Sequence, residues 1–378
     1  MRSRAWSAVI PPLLLLAAVA VAPKWRVQAG ESDASIASSK QWDEDAAARY
    51  LDAREVWWQH WPKSQRDHQT VCVSCHTVLP YALARPLLSG QTGEAAMTEP
   101  ERIMYAGVVK RVRMWSEVEP FYNDAHSGPD KSVQSRSTES VLNALILASY
   151  DARRGHLSQD TRQAFENAWA LQVHTGANAG AWTWLNFHNG PWESDVSEYW
   201  GATLAALAVE TAPDSYMKSR EVRRHVQELR SYLRKNYATQ PLINQAVLLW
   251  VSARMPGLIS KRDRGALLQA LTTRQRPDGG WSLADLGTWQ RHDHTPLVRK
   301  SDGYATGIVV LALHGAGKSN TAVAQRGAKW LLQNQDPREG NWFAWSLNRQ
   351  RDPSADGAQF MNEAATGYAV LALEKTKP

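Results

Sequence analysis

The sequence has only two cysteines among its 378 residues, so a framework of several disulfide bonds is excluded. Phenylalanine is also scarce, with 5 residues against 18 tryptophans, and aromatic packing must therefore depend mainly on indole rings. The net charge of +6 includes four basic residues within the first 29 positions, and without them it is +2. This small excess argues against a nucleic-acid partner.

The N-terminal segment has the pattern of an export signal. Met1-Arg2-Ser3-Arg4 precedes an apolar run from Ala5 to Ala22. We predict a signal peptide over residues 1–29 and a flexible mature N terminus over residues 30–42. An uncleaved membrane anchor is the alternative. The protein is thus expected in the periplasm or another extracytoplasmic compartment, touching a membrane only through this segment.

After residue 42, charged amphipathic segments alternate with short apolar ones. The charged segments, with helical spacing of their apolar residues, lie at 43–60, 101–116, 159–173, 219–236, 261–275 and 321–335. The apolar segments lie at 72–88, 140–148, 201–208, 241–254, 305–313 and 365–373. Because a helix that is apolar on every side must be surrounded by protein, we predict an all-α fold. Six inner and six outer helices would form an (α/α)6 toroid, a single domain over 43–378. The connections from outer to inner helices are long, and alternating helix directions place them on one face.

The two cysteines belong to the sequence Cys72-Val73-Ser74-Cys75-His76. This spacing is typical of covalent haem c attachment, in which both thiols bind the porphyrin and His76 becomes an axial iron ligand. A zinc site is an alternative, with a fourth ligand from His68 or Asp67. A local disulfide or redox pair is the third interpretation.

If haem is bound, the sixth iron ligand is open. The candidates are a vacant position or one of Met97, Met104, Met114, His68 and His126. The motif occupies the start of the first inner helix. When the helix repeats are aligned, the motif is therefore expected at the cavity mouth, at the level of Glu198 and Asp302.

Acidic or polar residues stand near the predicted start of several inner helices: Glu139, Glu198, Asp302 and Asn362-Glu363. A carboxylate there would cap the free backbone N–H groups. Alternatively, carboxylates crowded at one cavity mouth would act as general acids, with Asp302 and Glu198 as the catalytic candidates. Two weaker patterns remain. The aromatic linker around Trp184 and Trp192 suits stacking on sugars or isoprenoids. The sequence His292-Asp293-His294 suits a metal site.

Three long connections share a Gly-x-Trp element at Gly180-Ala181-Trp182, Gly279-Gly280-Trp281 and Gly340-Asn341-Trp342, two of them after a Gln-rich turn. Residues 130–378 thereby resemble the terpenoid-cyclase and protein-prenyltransferase superfamily, especially squalene–hopene cyclases. The resemblance implies an α/α toroid in which these Gln and Trp residues, including Trp281 and Trp342, brace the barrel.

The resemblance also places Lys300-Ser301-Asp302-Gly303-Tyr304-Ala305 at the Asp-x-Asp-Asp-Thr-Ala acid motif of class II cyclases. Asp302 matches the proton-donating aspartate, but Lys300 and Gly303 replace the flanking acids. A neighbouring lysine is expected to lower the pKa of Asp302, which opposes protonation of an alkene. The prenyltransferase zinc set is absent, because no cysteine follows Cys75.

The favoured function is therefore a redox or electron-transfer role for a haem c protein. It would act on a small apolar, isoprenoid-like ligand in the cavity or on an electron-transfer partner. The alternatives are a carbohydrate lyase or hydrolase, or a terpenoid-cyclase-like enzyme, using Asp302 and Glu198, and a non-catalytic binding or scaffold protein.

Overall fold

The computed structural model describes residues 42–89 and 97–377. The predicted signal peptide, and all of the predicted flexible segment except Trp42, lie outside these residues. The described chain is almost entirely helical, as predicted. Its α-helices are α1 Glu44–His60, α2 Val78–Ala84, α3 Glu99–Arg113, α4 Asp124–Ser127, α5 Lys131–Arg154, α6 Gln159–Trp169, α7 Ser197–Thr211, α8 Arg223–Asn236, α9 Leu242–Val251, α10 Lys261–Thr273, α11 Gly303–Gly315, α12 Ala322–Gln333 and α13 Asp356–Thr376. Within the described ranges, none of these helices combines the length and apolarity needed to cross a membrane.

The only strands described are two residues each and form a small hairpin. Strand β1, Gln65–Arg66, pairs antiparallel with β2, Thr70–Val71, so that Gln65 lies opposite Val71. The hairpin ends directly before Cys72. Since the Cys72 amide also donates to the Ser64 carbonyl at 2.9 Å, the hairpin fixes the start of the cysteine motif.

Each predicted helical segment contains a helix, and the alternation of the two kinds is confirmed. We call α1, α3, α6, α8, α10 and α12 the charged set and α2, α5, α7, α9, α11 and α13 the apolar set. In α11, every residue from Gly303 to Leu313 is buried, and in α13 every residue from Met361 to Leu373 is buried. Such helices are stabilised by packing on all sides rather than by one apolar face.

The apolar set packs in chain order. Helix α2 contacts α5, α5 contacts α7, α7 contacts α9, α9 contacts α11, and α11 contacts α13. The last helix, α13, then contacts the first, α2. The helices of the charged set lie against this group, for example α1 and α12 against α13 and α6 against α5.

Three long connections contact one another, which places them on the same side of the molecule, as predicted. These connections are residues 170–196, 274–302 and 334–355. Asn348 donates to the Gly190 carbonyl at 2.9 Å, and the His292 amide donates to the Asn348 carbonyl at 2.9 Å. The connection between α8 and α9, residues 237–241, is short, as the predicted segments at 219–236 and 241–254 required, so the general expectation of long outer-to-inner connections was wrong there.

The Gly-x-Trp tryptophans brace neighbouring elements, as the sequence resemblance implied. The indole N–H of Trp182 donates to Ala168 at 2.7 Å, that of Trp281 to Leu271 at 2.7 Å, and that of Trp342 to Leu331 at 2.9 Å. Each acceptor is a carbonyl near the end of the preceding charged-set helix. All three indoles are almost fully buried.

A glutamine completes each of these braces. The side-chain amides of Gln172, Gln275 and Gln335 each donate to the carbonyl of the glycine that precedes the tryptophan by two residues. Each also donates to a carbonyl at the start of another charged-set helix, at His225 of α8, Val323 of α12 and Asp43 before α1. The brace after α12 therefore ties the end of the chain to its first described helix.

Two of the predicted helix-end acids lie inside helices instead. Helix α5 begins at Lys131, well before Glu139, and α13 begins at Asp356, well before Glu363. Both carboxylates pair with arginines, Glu139 with Arg111 and Glu363 with Arg54. The polar first turns of α5 and α13 concealed the true helix starts, because their sequences lack an apolar stripe.

Candidate cofactor site

Both thiols and the imidazole of the cysteine motif line one cavity, which we call the thiol cavity. Its volume is about 40 Å³, well below the range of about 300–1,000 Å³ typical of small-molecule sites. Its walls include Trp58, Phe121, Tyr122, Leu185, Thr138, Glu139 and Glu193. An aromatic and apolar enclosure therefore surrounds Cys72, Cys75 and His76.

Aromatic rings hold the imidazole of His76 on three sides. Phe360 stacks on it with ring centroids 4.0 Å apart, and Trp58 meets it edge-on at 5.1 Å. The ring of Trp192 lies 5.9 Å away. Trp58 also donates from its indole N–H to the Cys72 carbonyl at 2.8 Å, so one side chain contacts both ends of the motif.

A chain of polar contacts leads from the imidazole into the helix group. His76 Nδ1 lies 2.8 Å from Thr77 Oγ1, and the Thr77 hydroxyl donates to Glu363 Oε2. Glu363 in turn accepts from Arg54 Nε at 2.6 Å. Since the hydroxyl proton of Thr77 points to Glu363, Thr77 Oγ1 accepts the proton of His76 Nδ1. The other ring nitrogen, Nε2, then carries the lone pair.

The two cysteines are free thiols. Cys75 is buried and Cys72 half-buried, and burial raises the pKa of both thiols well above the ordinary value. Both sulfurs are therefore uncharged at neutral pH.

Acidic side chains form part of the opposite wall. Glu139 accepts from Arg111 at 2.5 and 2.8 Å, and Arg111 is fully buried. Burial raises the pKa of Glu193 to about 7. The Arg111–Glu139 pair joins α3 to α5, and Arg111 also donates to the Thr70 hydroxyl of the hairpin.

These residues supply the donor set of a covalent haem c, although the cavity of about 40 Å³ is too small to enclose the macrocycle. Attachment needs two thiols and one imidazole on the same side of a cavity, with apolar and aromatic walls for the macrocycle. The thiol cavity provides this donor set, and the contact to Thr77 fixes the imidazole nitrogen that would bind iron.

The predicted sixth-ligand residues do not line the thiol cavity. Met104 is buried in the core, and His126 bonds to Asn123 at 2.8 Å. His68 lies in the hairpin turn, 3.7 Å from Asp67. Across residues 42–89 and 97–377, no three His, Cys, Asp or Glu side chains are grouped as a metal site.

Asp302 caps helix α11. Its two carboxylate oxygens accept backbone amides, Oδ1 from Ala305 at 2.8 Å and Oδ2 from Leu283 at 2.6 Å. Burial raises the pKa of Asp302 to about 7. The expectation that Lys300 lowers this pKa was wrong, because Lys300 is exposed and burial dominates.

Glu198 lies in the first turn of α7 and accepts from Asn178 at 2.7 Å, with its pKa raised by burial. Neither Glu198 nor Asp302 lines the thiol cavity. The cavity is linked to α11 by another route, because Trp192, beside His76, donates to the Tyr304 hydroxyl at 3.0 Å.

The His292-Asp293-His294 segment is a packed loop. Asp293 accepts from Thr295 at 2.7 Å and from the Gln350 amide at 2.7 Å, while both histidines are exposed. Arg291 anchors the loop by donating to Ser346 and Pro296. The segment thus ties two long connections together.

Sequence reasoning missed the residues that reach His76 from far along the chain. Phe360 and Arg54 were not singled out, and Glu363 was named only as a helix-end acid. Phe360 contacts His76, and Glu363, paired with Arg54, contacts Thr77, because α1, α2 and α13 pack together. Of the residues around His76, only Thr77 could have been identified from the local sequence, because it directly follows the motif.

No protein-family model matches this chain, and no curated protein matches it in a sequence comparison.

Proposed function

We propose that this protein is an exported haem c protein with a redox or electron-transfer role. One observation carries the proposal: both thiols of the motif and the imidazole of His76 line a single aromatic cavity. The export leader predicted over residues 1–29 supports a periplasmic or other extracytoplasmic location, where covalent haem attachment takes place in bacteria.

Each residue of the motif has a distinct role in this proposal. Cys72 and Cys75 would hold the group through thioethers, and His76 Nε2 would bind its iron. A bound haem supplies one-electron chemistry. Glu363, acting through Thr77, orients the imidazole, and Trp58, Phe360 and Trp192 exclude water from it.

We further propose that the fold is an (α/α)6 toroid with six inner and six outer helices. The packing of the apolar set in chain order, with α13 returning to α2, supports this arrangement. The brace from Gln335 to Asp43 supports closure of the outer layer in the same way. The resemblance to squalene–hopene cyclases agrees with it.

The redox partner would approach the thiol cavity from the side of the long connections. A small apolar, isoprenoid-like ligand or an electron-transfer partner suits the two indoles, Trp58 and Trp192, that flank His76. The structure gives Asp302 a capping role, which favours this function over a lyase, hydrolase or cyclase that uses Asp302 and Glu198 as acids.

The proposal is tested by exporting the full chain together with a bacterial haem-attachment system. We expect a Soret band that survives acid–acetone extraction, and a protein mass raised by one haem. Cys72→Ser/Cys75→Ser should lose both signals. Ser252→Ala, outside the cavity, is the control and should keep them.

Metal analysis of the same samples separates the alternatives. Iron in equal amount to protein is expected. Zinc in that amount without a Soret band would overturn the haem assignment, as would protein with neither signal.

A further inference from the structure

A second and larger cavity lies at the other ends of the apolar-set helices. Its volume is about 450 Å³. We call it the C-terminal cavity, because each of the six helices contributes from its C-terminal part or just beyond. The contributing residues include Leu83, Arg153, Leu207, Trp250, His314 and Leu371.

The C-terminal cavity is separate from the thiol cavity. The thiol cavity is lined by Cys72–His76, which precede α2, by Glu193, which precedes α7, and by Thr138 and Glu139 in the first half of α5. The two cavities share no lining residue. A ligand in one therefore does not depend on a cofactor in the other.

The inner wall of the C-terminal cavity is apolar. Leu83, Leu145, Leu207 and Leu371 line it, and Trp250 adds an indole. Such a wall favours a hydrocarbon chain, because each methylene removed from water stabilises binding by about 0.8 kcal/mol.

The mouth of this cavity is basic. Arg153, Arg254 and Lys375 line it together with His314, and Glu210 is the one acidic residue among its described lining residues. Basic residues at helix C termini also complement the helix dipoles. Their convergence on one opening, however, gives that opening an excess of positive charge, which is complementary to an anionic group.

Glu210 positions one of these cations. Its side chain is 6% exposed, and its Oε1 lies 3.4 Å from Arg254 Nε. Its Oε2 is buried without a hydrogen-bond partner, and burial raises the pKa of Glu210 to about 7. Glu210 holds Arg254 at the mouth, and even with Glu210 ionised, Arg254 and Lys375 leave a net positive charge there.

We propose that the C-terminal cavity binds a single-chain amphiphile with an anionic head group, of the long-chain fatty acid class. The hydrocarbon chain lies along the leucine wall, and the carboxylate meets Arg254 and Lys375. This site goes beyond the proposed haem function and does not rest on it.

The proposal is tested by calorimetric titration of the haem-free full chain with three ligands of equal chain length. These ligands are palmitate, hexadecanol and hexadecylamine. We expect palmitate to bind most tightly and hexadecylamine most weakly. Cys72→Ser/Cys75→Ser should bind palmitate unchanged, so that failure of the haem proposal does not affect this result.

Two variants locate the site. Arg254→Gln/Lys375→Gln should weaken palmitate binding about tenfold and leave hexadecanol unchanged, because only the charge contacts are lost. Leu83→Trp, which fills the half-buried wall, should weaken both ligands. Lys329→Gln on α12 and Leu88→Trp beside α2 lie outside the lining and are the matched controls, with folding checked by circular dichroism.

Three results would overturn the proposal. They are no binding of any of the three ligands, binding of hexadecylamine as tight as that of palmitate, and palmitate binding that is insensitive to both cavity variants.

Discussion

Thr77 and Glu363, which are separated by 286 residues in sequence, are joined by a hydrogen bond from the Thr77 hydroxyl to the Glu363 carboxylate. Thr77 Oγ1 also lies 2.8 Å from His76 Nδ1. The pair therefore decides which nitrogen of His76 keeps its lone pair, and it does so from a position 2% exposed to solvent. A carboxylate placed behind a ligating imidazole also makes that imidazole more basic.

Thr77→Val tests this relationship. The variant removes the acceptor for His76 Nδ1–H while Arg54 still pairs with Glu363. In the haem-loaded protein we expect a higher reduction potential, because a less basic imidazole stabilises ferric iron less. In the haem-free protein, nitrogen NMR should show the His76 tautomer ratio shifting away from Nδ1–H.

Thr239→Val is the control for this change, since its exposed hydroxyl donates to the Asn236 carbonyl and accepts only a long 3.5 Å contact from the neighbouring Gln240. If Thr77→Val leaves both the reduction potential and the His76 tautomer ratio equal to those of the control, Thr77 does not orient the imidazole.

Gly180→Ala tests the braces between charged-set helices. Gly180 has φ +98°, and a Cβ there would lie 2.2 Å from the Glu228 carbonyl oxygen of α8. Both the left-handed backbone and the clash oppose a side chain. We expect the free energy of unfolding in urea to fall by about 3 kcal/mol or more.

Gly128→Ala separates the two causes. Gly128 has a similar φ of +95°, but nothing lies within 4 Å of its Cβ position. This variant should lose only about 1–2 kcal/mol. Equal losses in both variants would mean that the close approach of the brace to α8 contributes nothing.

Local patterns were sufficient to predict twelve of the thirteen described α-helices, and only the four-residue α4 was missed. Helical spacing located the six charged segments and continuous apolarity the six short ones, because burial of a stripe or of a whole helix depends on residues close in sequence. The bracing role of the Gly-x-Trp elements was implied by the family resemblance rather than by spacing. Glu139 and Glu363 were misplaced at helix ends, since polar turns such as Lys131–Thr138 carry no apolar signal.

Contacts between residues distant in sequence could not be predicted from such local patterns. Nothing near Glu363 in sequence indicates Thr77 or Arg54, and nothing near Glu139 indicates Arg111. These contacts depend on which helices pack together, so the surroundings of His76 required the structure.

Asp302→Asn distinguishes a helix cap from a catalytic acid. Both oxygens of Asp302 accept backbone N–H groups, and an asparagine would present an N–H₂ group to one of those donors. We expect a loss of about 1–3 kcal/mol in the free energy of unfolding, measured in urea. If the residue is only a cap, any redox activity should be unchanged at temperatures where the variant is folded.

Glu198→Gln is the companion variant. Its amide oxygen can still accept from Asn178, so stability should change by less than about 0.5 kcal/mol. Loss of activity in either variant without loss of structure would restore the enzymatic alternatives for these carboxylates.

Glu55→Gln tests a buried acid between α1 and α3. Glu55 is 1% exposed, its Oε2 has no hydrogen-bond partner, and burial raises its pKa from 4.5 to about 8. Between these two values the unfolded chain has released the proton while the folded chain keeps it. The free energy of unfolding therefore falls as the pH rises from 4.5 to 8, by at most about 1.4 kcal/mol per pH unit from this group.

Glutamine cannot release a proton, and its amide oxygen still accepts from Gln59. Urea unfolding at pH 5, 6, 7 and 8 should show Glu55→Gln gaining stability relative to the unsubstituted protein as the pH rises. Glu117→Gln, at an exposed site, should follow the unsubstituted protein throughout. Parallel pH profiles for all three proteins would show that Glu55 is ionised in the folded state. Its Oε2, which has no hydrogen-bond partner in the protein, would then have to bind water.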